Sequence, residues 1–579
     1  MSEEPVRRME PRGMFGMIKR HRGRIGAGVA LACGLGLLMP TLASAQSAAQ
    51  RFPGVIDRPV PEVPLPPAPR ALPPLGGTPT PESVPDANAP IPTITSVQFS
   101  GNAVLSTAQL QKVATPYLNR PLTRGDLAKF KYDIAKRYYE SGYILVRVVT
   151  PPNQDLSKGV LNVTVYEAKI EKIETGKDAA VRPFITRAIT SEVHPGSVFN
   201  ETDVESMVRD LDDLHGAKAS VNLVPGSQVG TTDLEVKVEK TNDFQQQVSV
   251  NNYGSKLTGE WLFNGNFQYG NLLGLGELYT FDFTHSDSSL LTVRGGIQTP
   301  IGFRNLILDT SYLYSNSNIG DRLAVLGSEG TTDQFRIGLS SALLNTARQK
   351  ITVRLGFDAG HFQSSILDGT PESDDKTRHV TQDMNYLLRL ANTTVYAALQ
   401  LSEGVSAFDG SSEGDTLLSR AGGNPDAFIL RPTLFARQNL WTNGSVKGLV
   451  SGQYSGSTLL ASDLFAIGGY GSVRGFQPAE ETGESGMQVS IALEQEVLQR
   501  EGWGVSVGPW FDGGWVWNKV PGAAVDDALY SVGLGGELHT NITTLGDTAL
   551  RLDWAHPVGS YNDTTISSDT FYLQLLQDF

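Results

Sequence analysis

From Phe244 to Phe579 the chain alternates apolar and polar residues with a period of two. In the stretch 261–269, Trp261, Phe263, Phe267 and Tyr269 share one face, and Leu262, Asn264, Asn266 and Gln268 share the other. Tyr279, Phe281 and Phe283 alternate with Thr280, Asp282 and Thr284, and Ile351, Val353, Leu355 and Phe357 with Thr352, Arg354, Gly356 and Asp358. Alternation of this kind marks strands that separate two environments. Strands of soluble sandwiches average about 5–6 residues, whereas these run ten or more, the length a tilted strand needs to cross a bilayer. Eleven such segments lie between residues 244 and 456 and five between 487 and 579, sixteen in all. An even number returns both ends of an antiparallel barrel to one side. The pattern therefore predicts a transmembrane β-barrel over residues 244–579, lipid outside and water within. The short turn at Asn392-Thr393 falls on the opposite side from the long loops 317–331 and 405–426.

The period changes upstream. Thr95–Ser100 alternates as a strand, and two helical stretches follow at Ser106–Leu118 and Thr123–Ser141. Leu127, Phe130, Ile134 and Tyr138 share a face of the second, and Gly142 ends it. Tyr143–Thr150 and Val160–Glu167 read as closing strands, so residues 93–170 have the order β-α-α-β-β. Residues 171–243 repeat that order at lower contrast: a strand at Glu171–Thr175, helices at Val181–Glu192 and Glu201–Leu214, strands at Ala219–Pro225 and Asp233–Glu239. Two small α+β units in succession predict an internal duplication.

Residues 52–92 hold 14 of the 32 prolines and predict an extended linker over 46–92. Before it, Lys19, Arg20, Arg22 and Arg24 precede a short apolar run that exits through Ala43-Ser44-Ala45. This is the pattern of a secretory signal peptide over residues 1–45. Those residues carry seven Lys/Arg against three Asp/Glu, so their removal takes the net charge from -14 to -18. It also removes Cys33, the only cysteine, and with it disulfide and thiol chemistry. So acidic a chain lacks the basic footprint of a nucleic-acid binder.

Enzyme chemistry finds little support. His194, His215, His285, His361, His379, His539 and His556 sit in no metalloprotease or nucleophile-elbow context, and Gly274-Leu-Gly276 lacks the third glycine of a nucleotide loop. Acid pairs such as Asp374-Asp375 and Asp526-Asp527 read as solvated loop charges. The chain is expected to be no enzyme and to need no cofactor and no metal.

One stretch invites a different reading. Gly468–Phe476 lies in the irregular connection 457–486 between the eleventh and twelfth segments, and Trp510-Phe-Asp-Gly-Gly514 lies on the thirteenth. If that connection folds inward, the planar fork of Arg474 can meet the carboxylate of Asp512 on the inner wall. The motif Val473-Arg474-Gly475-Phe476 and its partner Trp510-x-Asp512-x-Gly514 resemble the signatures of outer-membrane transporters of two-partner secretion, the hemolysin/hemagglutinin activator type of the POTRA-plus-barrel superfamily. Asn252–Trp261, Asn271–Gly276, Gly142–Ile144 and Pro151–Leu161 are also similar to that family, and the resemblance covers residues 93–579. The terminal Phe579 matches its C-terminal assembly signal, although Gln577 stands where an aromatic or apolar residue is usual.

The resemblance implies two periplasmic POTRA-like units and an outer-membrane barrel of a Gram-negative bacterium. It implies secretion of an unfolded exoprotein through the barrel without nucleotide hydrolysis, and insertion of the barrel into outer-membrane lipid by the barrel-assembly machinery. The alternative is an insertase for outer-membrane proteins; relatives of that type usually carry more periplasmic units, so two units favour the translocator. A passive porin would leave both units unexplained.

Overall fold

The computed structural model describes residues 80, 82–176, 180–303, 305–367, 369–519, 527–542, 546–559 and 569–579. The expected signal peptide, the linker up to residue 79 and Asp526 lie outside them.

In the first α+β unit, Ser106 caps a helix over Thr107–Ala114 through a reciprocal box with Gln109. Pro116 supplies no N–H to extend the ladder, so the helix expected to reach Leu118 gives way to a 3-10 turn at Thr115–Tyr117. A second box, Thr123 with Asp126, starts the helix Arg124–Tyr139, which buries Ala128, Phe130, Ile134 and Tyr138. Both helices pack on a three-stranded sheet. Its central strand, Val160–Glu167, runs parallel to Ser96–Ser100 and antiparallel to Val146–Val149. The proline-rich stretch does not remain a free spacer to residue 92. Pro90–Ile91 pairs with Leu122–Thr123, and Glu82 meets Lys131 at 2.5 Å.

The second unit repeats the plan. Thr231–Lys240 lies between Lys169–Thr175, parallel, and Ala217–Pro225, antiparallel. Its helices are Pro183–Thr190 and Glu201–Asp212, the latter capped by Asn200.

Sixteen antiparallel strands then close a barrel. They are β1 (Phe244–Asn251), β2 (Leu262–Gly270), β3 (Leu278–Ser286), β4 (Leu291–Pro300), β5 (Ile307–Asn318), β6 (Glu329–Asn345), β7 (Gln349–Ile366) and β8 (Thr370–Arg389). The circuit continues through β9 (Thr393–Gly404), β10 (Phe428–Trp441), β11 (Gly444–Ser455), β12 (Ser485–Arg500), β13 (Trp503–Trp517), β14 (Asp527–Ile542), β15 (Gly546–Pro557) and β16 (Thr570–Asp578). The apolar set of the alternation faces outward, with Phe263, Phe281, Phe335 and Phe571 exposed. Among the described residues no helix is long and apolar enough to cross a membrane.

Several strands reach further than their alternation suggested. β8 begins at Thr370, so Asp374 and Asp375, expected in a loop, belong to it. These are not solvated loop charges. Asp375 is buried and accepts from Ser419 N (2.9 Å) and Ser419 Oγ, and Asp374 meets His361 at 2.6 Å. Beyond the bilayer neither face of a strand meets lipid, so pairing continues without an apolar face to announce it. The closing seam is short. The ladder between β1 and β16 runs over Gln247–Asn251 and Gln574–Asp578. The Asn252 amide carries the seam on, donating to Phe571 O (2.9 Å) and accepting from Leu573 N (2.7 Å).

Candidate functional site: a loop pinned inside the barrel

The connection between β11 and β12 begins at a strand end opposite the α+β units and folds back on itself. A 3-10 turn at Ala461–Asp463 leads into a miniature hairpin, Phe465–Ile467 against Glu481–Gly483. Its tip bends at Gly468 and Gly469, both at positive φ (105° and 86°). A Cβ on Gly468 would lie 2.5 Å from Gln477 O, so both torsion and space require glycine.

Arg474 projects from this tip. Its Nε donates to Asp512 Oδ2 at 2.7 Å, its Nη2 to Asp512 Oδ1 at 2.9 Å, and its backbone N to Oδ2 at 3.2 Å. Ser490 Oγ on β12 completes the carboxylate at 2.7 Å. The guanidinium carbon stands 3.5 Å from the ring centroid of Trp510, and Nη1 lies 3.5 Å from Asp553 on β15. Asp512 is 0% exposed. A buried carboxylate with four donors, two of them from a bidentate cation, is strongly held, although desolvation offsets part of the gain.

The neighbours of Arg474 share the work. Val473 is buried with Ile467, Phe476, Val516 and Leu529. Gly514 makes room for it: a Cβ there would sit 2.8 Å from Val473 Cγ2. Gly475 N donates to Tyr572 Oη at 2.8 Å, and Thr570 Oγ1 donates to Gly475 O at 3.2 Å. Val473, Arg474, Gly475, Phe476, Trp510, Asp512 and Gly514 thus form one cluster on the inner wall. Phe579 stands apart at the end of β16, exposed, its N–H bonded to Gln246 O at 2.9 Å. Gln577 accepts from Thr548 Oγ1 at 2.6 Å.

Other contacts carry no motif and were not legible as sequence. Tyr470 stacks on Tyr253, just after β1, with centroids 3.6 Å apart, and meets Tyr572 of β16 edge-on at 5.2 Å. Lys256 N donates to Gln477 Oε1 at 3.2 Å. The loop therefore touches both sides of the seam. At its far end, buried Glu484 pairs with Arg420 at 2.7 Å, tying the loop 405–426 to its base.

The second α+β unit seats on the barrel turns opposite. Asp210 accepts from Asn345 Nδ2 (2.7 Å) and Asn305 Nδ2 (3.2 Å), and Asp213 accepts from Lys350 Nζ (2.6 Å). Burial pushes the Asp210 carboxyl up to about 7; the asparagine donors pull it back only in part, and Glu192 and Asp213 add repulsion.

With this geometry in view, the sequence model of haemolysin secretion/activation proteins of the ShlB/FhaC/HecB type matches residues 230–538, and that of the ShlB-type POTRA domain matches residues 93–168. The chain belongs to the ShlB/FhaC/HecB family. Relatives include the outer membrane transporter CdiB of Dickeya dadantii, 25% identical over 410 residues (68% of this chain, 70% of the relative). The hemolysin transporter protein HpmB of Proteus mirabilis is 21% identical, with 71% and 73% of the two chains covered. The solved structure of CdiB from Escherichia coli shares the fold at a TM-score of 0.72, with 21% identity over 86% of this chain and 93% of that one. Members of this family are secretion proteins, and the β-barrel with its POTRA domain is the architecture seen here.

Proposed function

We propose that the protein secretes an unfolded exoprotein across the outer membrane of a Gram-negative bacterium through its own barrel. The observation that carries this reading is the loop held inside the lumen by Arg474 and Asp512: a removable obstruction in a water-filled wall suits a conduit that opens for cargo. Among the described residues, the α+β units, on the periplasmic side, present edge strands at Ser96–Ser100, Val146–Val149 and Ala217–Pro225, while the fourth edge, Lys169–Thr175, is partly covered where Ile170 bonds to Gly196 and Ser197. An extended cargo chain can add to such an edge through main-chain hydrogen bonds that read little sequence. Folding of the cargo outside would bias the movement, so no nucleotide and no catalytic residue enters the scheme. Outer-membrane lipid surrounds the wall, and the exposed terminal Phe579 is offered to the barrel-assembly machinery during insertion.

Deleting residues 93–170 tests the reading, with secreted cargo measured per folded barrel. Loss of secretion with the barrel still present supports it. Undiminished secretion refutes docking on that unit, and general loss of outer-membrane proteins on removal of the whole protein would favour the insertase instead.

A further inference from the structure

The helix Pro183–Thr190 has an inner face and an outer one. Ile185, Thr186, Ile189 and Thr190 are buried in the second unit, while Phe184 and Arg187 are exposed. This outer face bridges two turns of the barrel. The backbone N of Arg182 donates to Gly274 O at 2.7 Å and its Nε to Leu273 O at 3.1 Å, in the turn between β2 and β3. The Phe184 ring covers Gly302 in the turn between β4 and β5, where a Cβ would stand 2.6 Å from it. Leu272, Leu273, Ile301 and Phe303, on these same turns, are all exposed. Ile301 continues the outward register of Ile297 on β4.

An apolar cluster of this kind is costly in water and marks an interaction surface. Its occupant follows from continuity: the cluster prolongs the barrel face that meets lipid, at the level where aromatic side chains gather at a membrane interface. The charge beside it agrees. Arg187 donates Nε to Pro183 O at 3.2 Å, and among the described residues neither Arg182 nor Arg187 meets a carboxylate. We propose that the helix Pro183–Thr190 rests in the headgroup layer of the periplasmic leaflet, with Phe184 at the apolar boundary and Arg187 facing the phosphates of anionic phospholipid. The second unit is thereby held by lipid as well as by the barrel. This rests on reading the barrel as membrane-spanning, which the test checks separately.

The full chain carrying Cys33→Ser offers a cysteine-free background. A fluorophore is placed on Phe184→Cys, on Phe281→Cys of the barrel wall, or on Tyr166→Cys of the first unit, and each protein is reconstituted into phosphatidylcholine vesicles containing headgroup-proximal spin-labelled lipid. Quenching at positions 184 and 281 but not at 166 is the expected result. Quenching at 281 alone, with 184 matching 166, overturns the proposal and leaves the barrel reading intact; no quenching at 281 overturns both. Adding phosphatidylglycerol should strengthen quenching at 184, and Arg187→Gln should reduce that gain, the partitioning lost with one cation being about fivefold. An unchanged gain in Arg187→Gln overturns the role given to the phosphates.

Discussion

Replacing Arg474 with Met removes the cation and keeps much of the side-chain volume. Asp512 then loses its two guanidinium bonds and keeps Ser490 Oγ and the backbone N of residue 474. Breaking one partner of a buried pair costs about 3–5 kcal/mol, because an uncompensated charge stays behind. The lost stacking on Trp510 lies within that figure rather than beyond it. Asp512→Asn should cost less, about 2–3 kcal/mol, since Arg474 retains Asp553 at 3.5 Å and the amide still accepts a hydrogen bond. The double variant should be less destabilised than the sum by about 1–3 kcal/mol. Urea unfolding of the barrel in lipid vesicles, followed by heat-modifiable gel mobility, gives the four stabilities. Additivity within about 0.5 kcal/mol would refute an energetic pair. Secreted cargo per folded barrel should fall in Arg474→Met, and normal secretion at normal barrel abundance would reject its function in transport.

Gly514→Val should force the Val473 contact apart and cost about 1–3 kcal/mol in the same assay, with Gly513→Val, whose added Cβ would meet nothing closer than 3.1 Å, affected less; equal effects would refute the steric argument. Asp210 carries its proton to about pH 7 when folded but releases it near pH 4 when unfolded, so stability should fall as pH rises across that interval and level off above it. Asp210→Asn should remove the slope and be the more stable chain at pH 8, by about 4 kcal/mol at most; a parent protein whose stability is flat or rises over pH 5–7 would contradict this. N-terminal sequencing of the chain recovered from the outer membrane should begin near Gln46, and an intact segment 1–45 would refute the signal peptide.

The barrel was legible because lipid imposes its own grammar. Each membrane-crossing strand must show one apolar face, and that demand writes period two into the sequence from Phe244 to the C-terminus. The helices of the first unit were legible for a different reason: Ser106 with Gln109 and Thr123 with Asp126 satisfy free N–H groups locally. Where no such local demand exists, sequence reading stopped short. The outer end of β8 carries no apolar face, so residues such as Asp374 and Asp375 pair as strand while reading as loop. The loop motif marked Arg474 and Asp512, but spacing along the chain says nothing about which walls a loop touches. The tertiary fold brings Tyr253 beside Tyr470 and Tyr572, Glu484 against Arg420, and Asn305 and Asn345 at the barrel rim onto Asp210. Those contacts join residues up to several hundred positions apart, and each depends on the number and register of every strand between them. Only the tertiary structure decides them, since a side chain meets a distant partner where the whole circuit of strands delivers it.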